Sequence, residues 1–234
     1  MKKCLVLMAV LLCVGVLNAA EKPSIGVADF KNETSSAAWW YGGAGHDLAG
    51  MLSNELQATE KFRMVERAKL GPVLEEQDLA ASGRVSKGSA AKIGKLTGAK
   101  YLVMGTVTAY EEKTAGTGGG INFGGISLGG KKDDAYISVD VRVVDTTTGE
   151  IAYSRSIEAR SGGYGMNVGL YRGGFGGNMG KYDKTPAGKA IRACLVEISE
   201  YLSCAMVDQD NCLAEYKAKD SSRREKTKKA IKLE

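Results

Sequence analysis

Eighteen of the chain's 31 glycines lie between Gly116 and Gly180, and all but Gly149 fall in two stretches that interrupt strong strand patterns. Glycine loses more backbone entropy on folding than any other residue, so such stretches suit neither a helix interior nor an ordinary strand. The second stretch nevertheless has order. In "GGYGMNVGLYRGGFGG" (Gly162–Gly177), Tyr164, Met166, Val168 and Leu170 occupy every second position, and Gly163, Gly165, Asn167 and Gly169 fill the alternate ones. Two readings stay open. One is a pair of disordered loops. The other is a pair of β-hairpins with an apolar face toward lipid and a small or polar face toward water. Gly162–Tyr171 reaches the length of about nine to eleven residues that a tilted membrane strand needs. Ile121, Phe123, Ile126 and Leu128 repeat the pattern in the first stretch, with Gly124-Gly125 shifting its phase as a bulge would. Gly129–Asp134 and Arg172–Gly174 suit hairpin tips, and Phe175 and Met179 continue the second hairpin.

The sequence around these insertions predicts a single α/β (α+β) core, a mixed sheet flanked by three or four helices. "PSIGVADF" (Pro23–Phe30), "FRMVER", "KYLVMGTVTAY", "AYISVDVRVVD" and "EIAYSRSIEAR" read as strands. Ile137, Val139, Val141 and Val143 alternate on one face, and "TTTG" turns that strand into the next. Helical spacing begins near Asp47 with Leu48, Met51, Leu52 and Leu56. A second helix carries Leu70, Val73 and Leu74, and a third carries Ile93 and Leu96 and stops at Gly98. The last starts at Thr185-Pro186 and buries Ile191, Cys194, Leu195, Ile198 and Leu202. The predicted organisation is a leader at 1–20, a core at 21–216 with insertions at about 111–136 and 158–184, and a basic, disordered tail at 217–234.

The leader has Lys2 and Lys3, an apolar run Leu5–Val16 and small residues at Asn18-Ala19-Ala20. That is a secretory signal, too short to span a bilayer as a helix, and it predicts an exported protein. Cys13 lies where a lipidated cysteine would, but Leu12 replaces the small residue that lipoprotein processing requires; the alternative is that Cys13 leaves with the signal. Three cysteines then remain, of which Cys204 and Cys212 can pair in an oxidising compartment. Of the 32 Lys/Arg, two sit in the leader and eight in the tail, leaving 22 against 24 Asp/Glu in the body. A near-neutral body argues against nucleic acid as a partner.

Chemistry-bearing motifs are scarce. "GGAGHDLAG" (Gly42–Gly50) lacks both the fingerprint spacing and the Lys-Ser/Thr of a phosphate loop, and reads as a flexible lead into the first helix. His46 is the only histidine, read as a helix-start pair with Asp47. There is no Gly-x-Ser-x-Gly nucleophile and no spacing suited to a metal. The expectation is a non-enzyme with no catalytic residues, no metal and no cofactor.

From Ile25 to about Met206 the order of pieces resembles the CsgG-like family of curli-secretion channels, most specifically in "VADFKNET", "MVERAKLGPVLEE", "YLVMGTVTAYE", "VRVVDTTTGEI" and "YGMNVGLYR". The resemblance implies a periplasmic α/β domain whose strands extend into two membrane hairpins. A homo-oligomeric ring of about nine subunits then pools them into one outer-membrane β-barrel. It implies passive export of unfolded polypeptide cargo, with a possible periplasmic accessory protein. In the family, the loop between the first strand and first helix narrows the pore with aromatic and amide side chains. Here "SSAAWWYGGAG" makes Trp39, Trp40 and Tyr41 the constriction candidates; the alternative is that one or both tryptophans anchor the loop in the core. Shorter relatives keep the core without hairpins and act as periplasmic or outer-membrane adaptors, such as holdfast anchors or cell-wall-synthase activators. The family's channel is lipidated, and the Leu12-Cys13 departure puts that anchor in question.

Overall fold

The computed structural model describes residues 21–35, 39–67, 69–114, 121–123, 126–128, 133–161 and 185–231. The chain runs β1 (Ser24–Val27), β2 (Lys31–Asn32), α1 (Ala44–Ala58), β3 (Arg63–Met64), α2 (Leu70–Ala81) and β4 (Tyr101–Thr114). Then follow β5 (Ile121–Phe123), β6 (Ile126–Leu128), β7 (Asp133–Asp145), β8 (Ile151–Arg160), α3 (Pro186–Ser203) and α4 (Asn211–Ala230). The principal sheet has the order β3-β1-β4-β7-β8, with β2 also on β4. β1 is parallel to β3 and β4, whereas β4, β7 and β8 are antiparallel, so the sheet is mixed as the sequence predicts.

One face of the sheet carries the core. Ile25 and Val27 on β1, Val103 and Val107 on β4, Val139, Val141 and Val143 on β7, and Ile157 on β8 are all buried. Against them pack α1 through Leu48, Leu52 and Leu56, and α3 through Ile191, Cys194, Leu195, Ile198 and Leu202. The Thr185 hydroxyl caps α3 by accepting from Gly188 N, and Pro186 occupies a first-turn position where no donor is missed. Phe30 joins the layers. Its ring lies over Gly105, where a Cβ would stand 2.3 Å from it, and its carbonyl oxygen would lie 2.2 Å from a Cβ on Gly45. Both positions therefore require glycine, and α1 begins at Ala44 in a buried, hydrogen-bonded turn rather than a flexible one.

Two further expectations are overturned. Residues 89–98 form no helix: Ile93 and Leu96 are exposed, and Gly94 has φ +73°, which a right-handed helix does not accommodate. The tail predicted to be disordered is helical through Ala230. α4 is capped by Asp210, whose side chain accepts from Cys212 N, and Cys204 and Cys212 are disulfide-bonded across the turn that precedes it. The Arg155 guanidinium then holds α4 to the sheet, 5.2 Å from the Tyr201 ring, 4.7 Å from the Tyr216 ring and 2.8 Å from Asp220. Burial pushes the Tyr216 phenol well above its ordinary range.

The first glycine-rich stretch is also placed differently. β4 and β7 remain paired out to Thr114 and Asp133, and β5 pairs β6 with Ile121 opposite Leu128 and Phe123 opposite Ile126. Asp133 and Asp134 therefore lie on β7. Gly124-Gly125 and residues 129–132, read as a bulge and a hairpin tip, lie outside the described residues. Tyr164, Met166, Val168, Leu170, Phe175 and Met179 lie outside the described residues, as does the leader.

Candidate functional site

The site is the segment between β2 and α1 together with the root of the β4–β7 ribbon. Its three aromatic residues divide. Trp39 is 2% exposed and belongs to the core, as the anchoring alternative expects, whereas Trp40 and Tyr41 are half-buried at the surface. The Trp39 ring meets Trp40 edge-on at 5.4 Å and Tyr110 at 5.6 Å. Such edge-to-face pairs contribute about 0.5–1.5 kcal/mol beyond area burial. The indole Nε1 is buried and finds no acceptor among the described residues.

Tyr110 reaches Trp39 because of an irregularity in β4. Up to Val107 the odd-numbered residues of β4 face the core, and the register with β7 shifts between Val107 and Ala109. Beyond that bulge the parity reverses. Tyr110, 5% exposed, turns inward opposite Ile137, and its hydroxyl donates to Glu112 at 3.0 Å. Bulges re-aim side chains and increase twist in this way. Tyr110 is thus the first inward-facing residue of β4 beyond its last pairing with β2 at Val107, and the aromatic segment is fastened to it. Sequence reading missed Tyr110 because strict alternation along "KYLVMGTVTAY" leaves it outside.

Polar contacts fix the other end of the segment. The Tyr41 hydroxyl donates to Asp47 in the first turn of α1, where the helix N-terminus also favours a carboxylate. His46 Nδ1 lies 3.4 Å from Asp29 Oδ1, so its partner is Asp29 and not Asp47. Trp40, Tyr41, His46, Asp29 and Gly42 line a shallow depression of about 350 Å³. On the neighbouring strands Arg160 lies over the Tyr136 ring at 4.7 Å, and burial, with Glu158 beside it, raises the Tyr136 phenol. The backbone of Ser161 donates to Ala135 O at 2.9 Å, and its hydroxyl accepts from Ala135 N at 2.8 Å, extending β8 pairing to the start of the second insertion. The roots of both insertions are therefore side by side.

Among the described residues no cluster of three or more His, Cys, Asp or Glu is arranged to hold a metal ion, and no helix is long and apolar enough to cross a membrane. The buried thiol of Cys194 is pushed far up by burial, and packing is the role its position supports.

A family model described as "Curli production assembly/transport component CsgG" matches residues 14–231. The protein of that description from Escherichia coli K12 is 28% identical over 126 residues, which is 52% of this chain and 46% of the relative. A protein of Neisseria meningitidis serogroup B that carries a lipoprotein name is 30% identical over 135 residues, 56% of this chain and 54% of the relative. The chain spans about half the length of the curated relatives it matches. Among solved structures, the hypothetical protein CT253 of Chlamydia trachomatis aligns with TM-score 0.46 at 14% identity, covering 80% of this chain and 99% of the other. A PelC dodecamer from Paraburkholderia phytofirmans aligns with TM-score 0.40 at 15% identity, covering 80% and 90%.

Proposed function

Because this chain belongs to the CsgG family, we propose that it is a subunit of an oligomeric outer-membrane secretion channel, through which unfolded polypeptide passes without enzymatic work. The observation that carries the reading is strand pairing at and within the first insertion: β4 and β7 stay paired out to Thr114 and Asp133, and between them β5 and β6 form a separate pair. The β5–β6 register sets Ile121 opposite Leu128, Phe123 opposite Ile126, and Asn122 opposite Ser127. Apolar positions pair with apolar and polar with polar, the pairing required of a strand with lipid on one side and water on the other. A backbone group unpaired in hydrocarbon costs several kcal/mol, so a lone ribbon is not viable there. Two hairpins give four strands per subunit, and neighbouring copies must supply the remaining partners. Insertion and assembly become one event.

In this reading Trp40 and Tyr41 line the constriction, and Trp39 ties that segment to the ribbon root through Tyr110. The cargo is exported polypeptide, with a periplasmic accessory protein as a further partner and no nucleic acid. Direction comes from the cargo's own gain in entropy or from that accessory protein. Similarity to a lipoprotein at 30% identity favours a second reading, a non-channel adaptor at the outer membrane whose insertions stay in water. Planar-bilayer recordings on detergent-extracted protein separate the two. A large, steady conductance accompanied by crown-like rings in negative stain supports the channel. Monomeric particles with no conductance, released from vesicles by carbonate, support the adaptor.

A further inference from the structure

Helices α1 and α3 cover only one face of the sheet. The opposite face holds Leu102, Met104 and Thr106 on β4 and Asp140, Arg142 and Val144 on β7, with Met104 37% exposed and Ile151 at its border 54% exposed. On that side lies a second unsatisfied surface. The crossover from β1 through α1 to β3 runs one way across the sheet, and the crossover from β3 through α2 to β4 runs back. Right-handed connections then put α2 on the face away from α1. The contacts agree: Arg67 and Ala99, the two ends of the α2 excursion, flank Gly26, whose Cβ would stand 2.7 Å from Arg67 Cγ and 3.5 Å from Ala99 Cβ on the uncovered side.

Between those ends, residues 70–98 form an arm. Of its residues only Gln77 is buried, while Val73, Leu74, Leu79, Ile93 and Leu96 are exposed by 39–63%. Val73, Leu74 and Leu79 point in different directions around α2, and Leu74, 46% exposed, is the most exposed of the three. Charge matches as well. Glu75, Glu76 and Asp78 of α2 make no ion pair among the described residues, and neither does Arg142, the cross-strand partner of Met104 at the centre of the open face.

From this geometry we infer that the arm docks on the open sheet face of a second copy, Leu74 against Met104 and the α2 carboxylates against Arg142. The lone chain leaves both surfaces exposed although α2 within the arm is already helical. An arm-onto-face contact is heterologous, and its repetition closes a ring when the rotation between copies closes. The inference rests on the ring assembly proposed above, and it assigns the contacts that hold the water-exposed domains together.

Cysteine pairing tests it on the full chain extracted from membranes. Leu74→Cys and Met104→Cys are introduced separately into two differently tagged copies, and together into one. Oxidation is followed on non-reducing gels; Cys194 is buried and Cys204 is bonded to Cys212, so the cysteines among the described residues do not interfere. Co-assembled single variants are expected to give a covalent dimer carrying both tags, and the double variant a ladder of multimers. Arg142→Glu is expected to lower the yield about fivefold, and Glu75→Arg with Glu76→Arg to restore it. An internal bond in a monomeric double variant overturns the inference, because the arm then closes on its own sheet. Rings in negative stain without the cross-link overturn the docking and leave the ring standing; monomers without it remove both.

Discussion

Replacement of Trp39 separates its two readings, core anchor and pore wall. The residue is 2% exposed, so Trp39→Ala removes a large buried ring and leaves a cavity. Substitutions of this kind cost about 3–5 kcal/mol. For a chain of this size about 1 kcal/mol moves Tm by roughly 2–4 °C, so the fall is about 6–20 °C. Trp39→Phe is different. It gives up part of the ring, at about 1–2 kcal/mol. It also deletes an indole N–H that is buried without an acceptor among the described residues, whose presence costs about 1–3 kcal/mol. The two nearly cancel, and Trp39→Phe should unfold within a few degrees of the parent. Calorimetry or circular dichroism on the purified protein reads both. In bilayers Trp39→Phe should leave conductance unchanged, whereas Trp40→Ala and Tyr41→Ala should raise it. If Trp39→Phe destabilises as much as Trp39→Ala, the indole N–H has a partner and the balance is wrong. If Trp39→Ala widens the conductance with Tm unmoved, the ring faces the lumen and the anchoring argument fails.

Three further outcomes follow from the packing. Closing the loop of separation eight between Cys204 and Cys212 stabilises by about 2.5 kcal/mol on the chain-entropy relation, so the double serine variant should melt roughly 5–10 °C lower and lose its response to reductant; an unchanged Tm would refute this. Gly105→Ala places a Cβ against the Phe30 ring, which is locked in the core, and should cost about 1–3 kcal/mol; Phe30→Leu in the same chain should return part of it, and simple additivity of the two losses in denaturant melts would contradict the contact. Burial raises the Glu55 carboxyl, with Arg192 opposing it less strongly. A raised folded-state pKa means that stability present at low pH is lost as pH climbs through it, so Glu55→Gln should melt above the parent at pH 7 and coincide with it near pH 3 in a Tm-versus-pH series.

The principal sheet and its core were legible because they depend on period. Ile137, Val139, Val141 and Val143 alternate in the sequence and are buried in the structure, and the α3 stripe from Ile191 to Leu202 keeps its helical spacing. The expectations that failed depend on contacts that one segment cannot encode. "KAKDSSRREKTKKAIKLE" carries no apolar face and reads as solvated. It is helical because Asp210 caps it and because Tyr216 and Asp220 engage Arg155, 65 residues before the latter in sequence. Ile93 and Leu96 have helical spacing, yet a pair of apolar residues beside a left-handed Gly94 does not sustain a helix. The three aromatic candidates sit together in one segment of the sequence, and the sequence does not divide them. Trp39 faces inward only because Tyr110 is there to receive it.

That dependence runs through a single residue step in β4. The buried positions of β7 keep odd parity from Ala135 to Val143, while those of β4 change from odd to even between Val107 and Tyr110. Without the shift, Tyr110 would point to the open face, and Trp39 would lose its edge-to-face partner on the strand that leads into the first insertion. The bulge therefore joins two parts that are separate in sequence, the aromatic loop and the root of the ribbon. In the channel reading this has a mechanical consequence. The segment that narrows the pore is held by a residue of the strand that leads toward the membrane, so the constriction takes its final position only once the ribbons have paired in the barrel. A subunit that has not assembled would carry the loop without a ring to narrow, and the hole and its restriction would form together.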